Sequence, residues 1–129
     1  MNVTAERLAE VKAVAIAESL TTAQAARTLA VSATTVRRMR ERGSLYAFPH
    51  ERQWRFPTWQ FHGHAALPGV EELVAVVPLS MHPAFVRGMM LAPRPGLTDV
   101  ETWTTPRRFL IDGGDPVRVA AIFETLAAL

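Results

Sequence analysis

The stretch Thr22-Ala23-Gln24-Ala25-Ala26-Arg27-Thr28-Leu29-Ala30-Val31-Ser32-Ala33-Thr34-Thr35-Val36-Arg37-Arg38-Met39 restricts the fold of this chain more than any other. Two short helices that cross steeply must touch through a small residue, and Ala26 supplies it. Four positions on, Ala30 stands where a tight turn needs a small side chain. Thr21-Thr22-Ala23-Gln24 forms a capping box that starts the first of these helices. Ser32 caps the second, which runs to about Arg40 and is stopped by Gly43. In this register Val31, Val36 and Met39 are expected to point inward, while Ala33, Thr34, Arg37, Arg38 and Glu41 turn outward.

An outer face of that composition suits a helix lying in the major groove of double-stranded DNA. Arg37 and Arg38 are the leading candidates for guanine or phosphate, because a guanidinium grips O6 and N7 together. Thr34 can meet a thymine methyl or a phosphate. Thr22 and Ser32 sit at helix starts, where free N–H groups favour a phosphate. The plainer alternative is a helical hairpin with a solvated arginine face.

Charge is distributed to match. From Arg27 to Arg55 there are seven arginines against two acids, whereas from Phe61 onward five basic residues face seven acidic ones. A positive front and a mildly negative rear point to a polyanion-binding module joined to a part with another task. The chain has no cysteine, which removes disulfides and thiolate zinc sites. No apolar run approaches the roughly 20 residues of a membrane helix, and the first residues lack the basic and apolar regions of a secretion signal. A cytoplasmic, nucleoid-associated protein is the expectation, with no membrane partner.

The remaining elements are set by local signals. Thr4 to Leu20 reads as a helix with Thr4 as its N-cap. Leu45 to Phe48 and Trp54 to Phe56 flank the polar segment Pro49-His50-Glu51-Arg52-Gln53, the pattern of a β-hairpin. Trp54 and Phe56 are expected to be hairpin core rather than base-stacking residues, since large buried aromatics stabilise small domains. Phe61 to Gly69 reads as a seam. Val70 to Val77 reads as a short helix, prolines at 78, 83, 93 and 95 break the chain into short pieces, and residues 92–102 read as loop. Thr105-Pro106 opens a helix that Asp112-Gly113-Gly114 stops, and Asp115-Pro116 opens the last one. There Val119, Ile122, Phe123 and Leu126 form one apolar stripe.

Leu20 to Ala26, Val31-Ser32, Thr35 to Arg38, Gly43 and Trp54-Arg55-Phe56-Pro57 together resemble the excisionase and MerR-type helix-turn-helix family, over residues 19 to 61. The resemblance implies that the hairpin is a wing beside a recognition helix, with Arg52 and Arg55 reaching phosphates or a minor groove. The chain departs from the pattern at the wing tip, where Pro49 to Gln53 replaces a glycine-rich turn, and at Ala30, which replaces glycine.

Met81-His82-Pro83-Ala84-Phe85 and the run from Thr105 to Val119 resemble the toxin-binding domain of Xre/MbcA/ParS-type antitoxins, over residues 68 to 129. Phe109 stands where tryptophan is commoner. That resemblance implies a partner, an NAD-degrading toxin of the RES class, with Arg107, Arg108, Phe109, Val119, Ile122, Phe123 and Leu126 as contacts. Core packing is the competing role for the apolar members of that set.

The fold class expected is mainly α: a winged helix-turn-helix with a small β-hairpin (residues 1–61), then a small helical domain (62–129). The leading functional expectation is an antitoxin that binds operator DNA, represses its own operon and neutralises a toxin. The alternatives are an excisionase-like factor or a simple dimeric repressor, and a ligand-responsive repressor whose rear half is short for a pocket of roughly 300 Å³ or more. At least a dimer is expected, because halves of this size are marginal alone. No nucleophile stands beside a base, no phosphate-cradling loop is present, and His62 and His64 lack further metal ligands. No catalytic residues, cofactor or metal are therefore assigned.

Overall fold

The computed structural model describes residues 3–98 and 102–129. The chain is mainly helical, with a small antiparallel sheet at its front. Helix α1 (Val3–Ala17) leads to strand β1 (Ser19–Leu20), followed by α2 (Thr22–Leu29) and α3 (Ala33–Glu41). Strands β2 (Phe48–His50) and β3 (Gln53–Pro57) form the hairpin, and a one-turn 3-10 helix (Thr58–Gln60) leads to β4 (Phe61–His62) and β5 (Ala65–Ala66). The rear is helical: α4 (Val70–Val76), α5 (Pro83–Leu91), α6 (Pro106–Ile111) and α7 (Pro116–Ala127).

The front frame is written in caps. Thr21 Oγ1 accepts from the Gln24 N–H while Gln24 Oε1 accepts from the Thr21 N–H, so the capping box is complete. Ser32 Oγ accepts from the Thr35 N–H at the start of α3. Between the two helices Ala30 adopts φ 56°, and Val31 N–H donates to Ala26 O at 3.0 Å, closing α2 on a left-handed residue. Gly43, with φ 78°, does the same for α3, where Ser44 N–H reaches Met39 O at 2.8 Å. Ala25, Ala26 and Val36 are buried at the crossing and pack with Leu45, Phe56 and Phe61 into a first core.

Three expectations for the front are corrected. Helix α1 already includes Val3, so Thr4 lies within it rather than capping it, and it ends at Ala17. Ser19 and Leu20 leave the helix because their backbone finds partners on β3, Ser19 opposite Pro57 and Leu20 opposite Phe56. Val31 is exposed, since the left-handed turn at Ala30 carries it to the surface. Trp54 is 40% exposed whereas Phe56 is fully buried. Trp54 lies nearer the hairpin tip, opposite Pro49, and its ring is covered by the Arg40 guanidinium at 4.1 Å.

The hairpin turn is Glu51-Arg52, with φ of 48° and 65°. Both central residues of such a two-residue turn need positive φ, which is why glycine is common there. Two side-chain-bearing residues hold it here at a cost of roughly 1–2 kcal/mol each.

A second core gathers Trp59, Leu67, Val70, Leu73, Val86, Met90, Leu97, Phe109, Leu110, Val119, Ala120 and Phe123. Its three later helices share one start signal, proline in the first turn behind a capping side chain: His82, Thr105 and Asp115. Two glycines allow close packing here. A Cβ on Gly69 would lie 2.5 Å from Pro116 Cβ, and one on Gly114 would overlap the Phe109 ring. Among the described residues of the expected loop 92–102, Arg94 pairs with Thr104 in an antiparallel bridge across its base. Residues 99–101 of that loop lie outside the described residues.

The two cores interlock. Trp59 belongs to the second and Phe61 to the first, so the chain crosses between them at Gln60. The fully buried Gln60 side chain accepts from Tyr46 N–H at 2.8 Å and donates to Tyr46 O at 2.7 Å. It thus completes both backbone groups of a residue that has no strand partner. Arg107 Nε donates to Trp59 O at 3.0 Å and its terminal nitrogen to Phe61 O at 2.7 Å. Arg87 Nε donates to Glu18 Oε2 at 2.9 Å, linking α5 to the end of α1. The seam expected at Phe61 to Gly69 holds the β4–β5 hairpin, and the expected boundary after residue 61 falls inside β4.

Candidate nucleic-acid interface

The outer face of α3 carries Thr34, Arg37, Arg38 and Glu41, all exposed, with Ala33 half-buried at its first turn. Helical spacing explains this. Val36 is the fully buried contact with α2, and Met39 packs beside it, so the residues flanking them must face away. Arg37 and Arg38 form no ion pair or side-chain hydrogen bond among the described residues. Arg27 and Arg42, also exposed, extend the positive surface beyond α2 and α3. Glu41, the one acidic side chain on this helix, is loosely paired with Arg40 at 3.8 Å.

Unpaired guanidinium groups on a convex helix are arranged for anions supplied from outside. Five fixed donors let one arginine bind a phosphate or the two acceptors of a guanine edge. The helix starts contribute less than their sequence suggests. The first N–H groups of α2 are capped by Thr21 and Gln24, and Thr22 is the first helical residue rather than the cap. Ser32 Oγ is engaged by Thr35 through both its N–H and its hydroxyl, at 3.1 and 3.0 Å.

The wing residues divide. Arg52 sits exposed in the tip turn and forms no ion pair or side-chain hydrogen bond among the described residues. Arg55 faces inward: its Nε donates to Ser19 Oγ at 2.9 Å and a terminal nitrogen to Ser19 O at 2.8 Å. A weaker contact reaches Ile16 O at 3.4 Å, so Arg55 supplies the cation that α1 lacks in its last turn. Its guanidinium is committed to joining the wing to α1.

The residues expected to contact a protein partner are placed differently from that expectation. Phe109, Val119 and Phe123 are buried in the second core, and Ile122 packs half-buried against it. Arg107 is spent on the carbonyls of Trp59 and Phe61. Arg108 is exposed, 3.7 Å from Asp112 one turn on, and Leu126 is half-buried on α7. The apolar stripe that a sequence offers to a partner is here the one that builds the core. His64 Nδ1 lies 3.1 Å from Thr28 O, and among the described residues no three His, Cys, Asp or Glu side chains come together as a metal site.

Two features escaped sequence reasoning. Gln60 is one, because two of its hydrogen bonds go to the distant Tyr46 backbone and only one to the nearby Pro57 O. The other is a groove of about 720 Å³ between the wing, Arg40 of α3, the end of α1 and the α4–α5 connection. It arises only when the two halves pack together. Among the described residues no helix is long and apolar enough to cross a membrane.

No curated protein and no solved structure matches the chain. Residues 19–64, from β1 through the two helices and the wing to the β4–β5 turn, match the family model of a helix-turn-helix domain, which supports a DNA-binding regulator.

Proposed function

We propose that this protein is a transcription regulator that reads double-stranded DNA with α3 in the major groove. The observation that supports this best is the face carrying Thr34, Arg37 and Arg38, where both guanidinium groups are exposed and unpaired. Arg37 and Arg38 contact guanine or phosphate, Thr34 a thymine methyl or phosphate, and Arg52 at the wing tip a flanking phosphate. Ala33 permits close approach of the helix start to the duplex, and Glu41 marks its far edge. Arg55 acts in this reading by fixing the wing, and Thr22 and Ser32 by fixing the helix starts.

One helix of this length spans few base pairs, so a specific operator needs two copies on paired half-sites about 34–36 Å apart. Repression is then the result of occupying a promoter. A toxin partner is disfavoured, because Phe109, Val119 and Phe123 are committed to the core and Arg107 to the joint between the cores.

The test is in vitro selection from randomised double-stranded DNA with the full chain. The expected result is an enriched site with two related half-sites, bound in preference to the single strands. Absence of enrichment, or equal binding to single strands, contradicts the reading.

A further inference from the structure

The groove of about 720 Å³ lies between the two halves and falls within the roughly 300–1,000 Å³ typical of sites for drug-sized ligands. Its walls come from both: Ile16, Tyr46 and Trp54 on one side, Leu79 and Met81 on the other. The walls are mostly apolar and ring-bearing. The ionisable groups of basic type within are Arg40, His50 and His82, and among the described residues the lining holds no carboxylate. Arg40 is the decisive residue. Its guanidinium lies over the Trp54 ring at 4.1 Å with the side chain 23% exposed, its Nε is enclosed, and its terminal nitrogens form no hydrogen bond among the described residues beyond a loose 3.8 Å contact with Glu41.

The enclosed Nε is out of an occupant's reach, so the donors left for an anion are those of the terminal nitrogens. An apolar groove holding these donors and, among the described residues, no acid is complementary to an anion with an apolar body.

We propose that this groove binds a small ring-bearing organic anion, its charged end on Arg40 and its body against Trp54, Tyr46, Leu79 and Met81. Arg40 belongs to α3 and Trp54 to the wing, while Leu79 and Met81 belong to the connection between α4 and α5. An occupant therefore touches the recognition helix, the wing and the rear half at once, and sets the angle between wing and helix. That consequence for DNA rests on the function proposed above; the binding site itself does not.

The probe is 1-anilinonaphthalene-8-sulfonate, compared with its uncharged analogue N-phenyl-1-naphthylamine, by fluorescence titration of the full chain without DNA. The expected result is saturable binding of one anion per chain, at least fivefold tighter than the neutral analogue. Arg40→Met should weaken the anion about tenfold and leave the neutral probe within twofold. Ser80→Glu, an exposed exchange that adds a negative charge at the groove, should weaken the anion about threefold and keeps the test intact if Arg40→Met fails to fold. Equal affinity for the two probes, indifference of the anion to Ser80→Glu, or unsaturable binding would overturn the site. So would sedimentation showing that a second copy of the chain fills the groove and excludes the probe. On the DNA site enriched by selection, saturating anion should change affinity at least threefold. An unchanged affinity would overturn the regulatory consequence while leaving the DNA-binding function standing.

Discussion

The arginines of the front surface and those of the joint have the same side chain and opposite roles. Arg37, Arg38 and Arg52 are exposed and unpaired, so their donors remain free for a partner. Arg55, Arg87 and Arg107 are half-buried, and each ends on carbonyl, hydroxyl or carboxylate oxygens of a neighbouring element. Sequence places both kinds within an arginine-rich chain without separating them. The difference is burial. A guanidinium held between elements must satisfy its donors internally, whereas one on a convex helix leaves them to water or phosphate. A basic patch is therefore a functional surface only after the structural arginines have been subtracted from it.

The sharpest way to break that division is at the joint. Arg107→Ala leaves the carbonyls of Trp59 and Phe61 without their charged donors, and a loss of about 2–3 kcal/mol is expected. Thermal or urea unfolding measures it, and DNA affinity of the folded protein should be unchanged. Loss of DNA binding without loss of stability would place Arg107 among the functional group instead.

Arg55→Ala tests the wing's intermediate case. About 1–2 kcal/mol of stability should be lost as Ser19 and Ile16 lose their donor, with DNA affinity falling less than it does for Arg52→Ala. Arg52→Ala removes one phosphate contact, so affinity should fall several-fold and the slope of log affinity against log salt should drop by about one. Its folded stability should be unchanged, because the Arg52 side chain has no internal partner to lose and alanine meets the same positive-φ strain.

The smallest expected effect concerns pH. Partial burial, with Lys12 nearby, holds His82 below its ordinary value of 6.5. The unfolded chain then takes up a proton more readily than the folded one, so the contribution of His82 is fully present above about pH 6.5 and falls as pH drops through the folded value. Protonation at Nδ1 would also end its acceptance of the Ala84 N–H at 2.9 Å. A shallow fall in melting temperature as pH drops below about 6.5 is expected, and it should be reduced in His82→Asn, which retains a capping acceptor.

Most of the front frame was legible because its signals are local. The Thr21–Gln24 box, the Ser32 cap, Gly43 and the polar hairpin turn each act on their immediate neighbours. The same holds for the helices opened by Thr105-Pro106 and Asp115-Pro116. What sequence missed depends on distant partners. Ser19 and Leu20 continue a helical pattern but pair with β3, and Gln60 finds its acceptor and donor 14 residues away at Tyr46. Helix α5 was hidden by the prolines around it, although Pro83 is its first residue. At the candidate interface the outward register of α3 was readable from Val36 and Met39. The inward turn of Arg55 was not, since it depends on the end of α1.

Whether α3 reads the DNA is decided by DNA titration of the double variant Arg37→Ala with Arg38→Ala, paired with its unfolding curve. Removal of two guanidinium contacts worth about 1–3 kcal/mol each should weaken binding to the selected site roughly 30-fold or more. The salt slope should fall by about two if both contact phosphate, and the unfolding midpoint should stay within about 2 °C because neither side chain has an internal partner. Sequence-specific binding retained at full strength by a folded double variant would contradict the assignment of α3 as the DNA-reading helix.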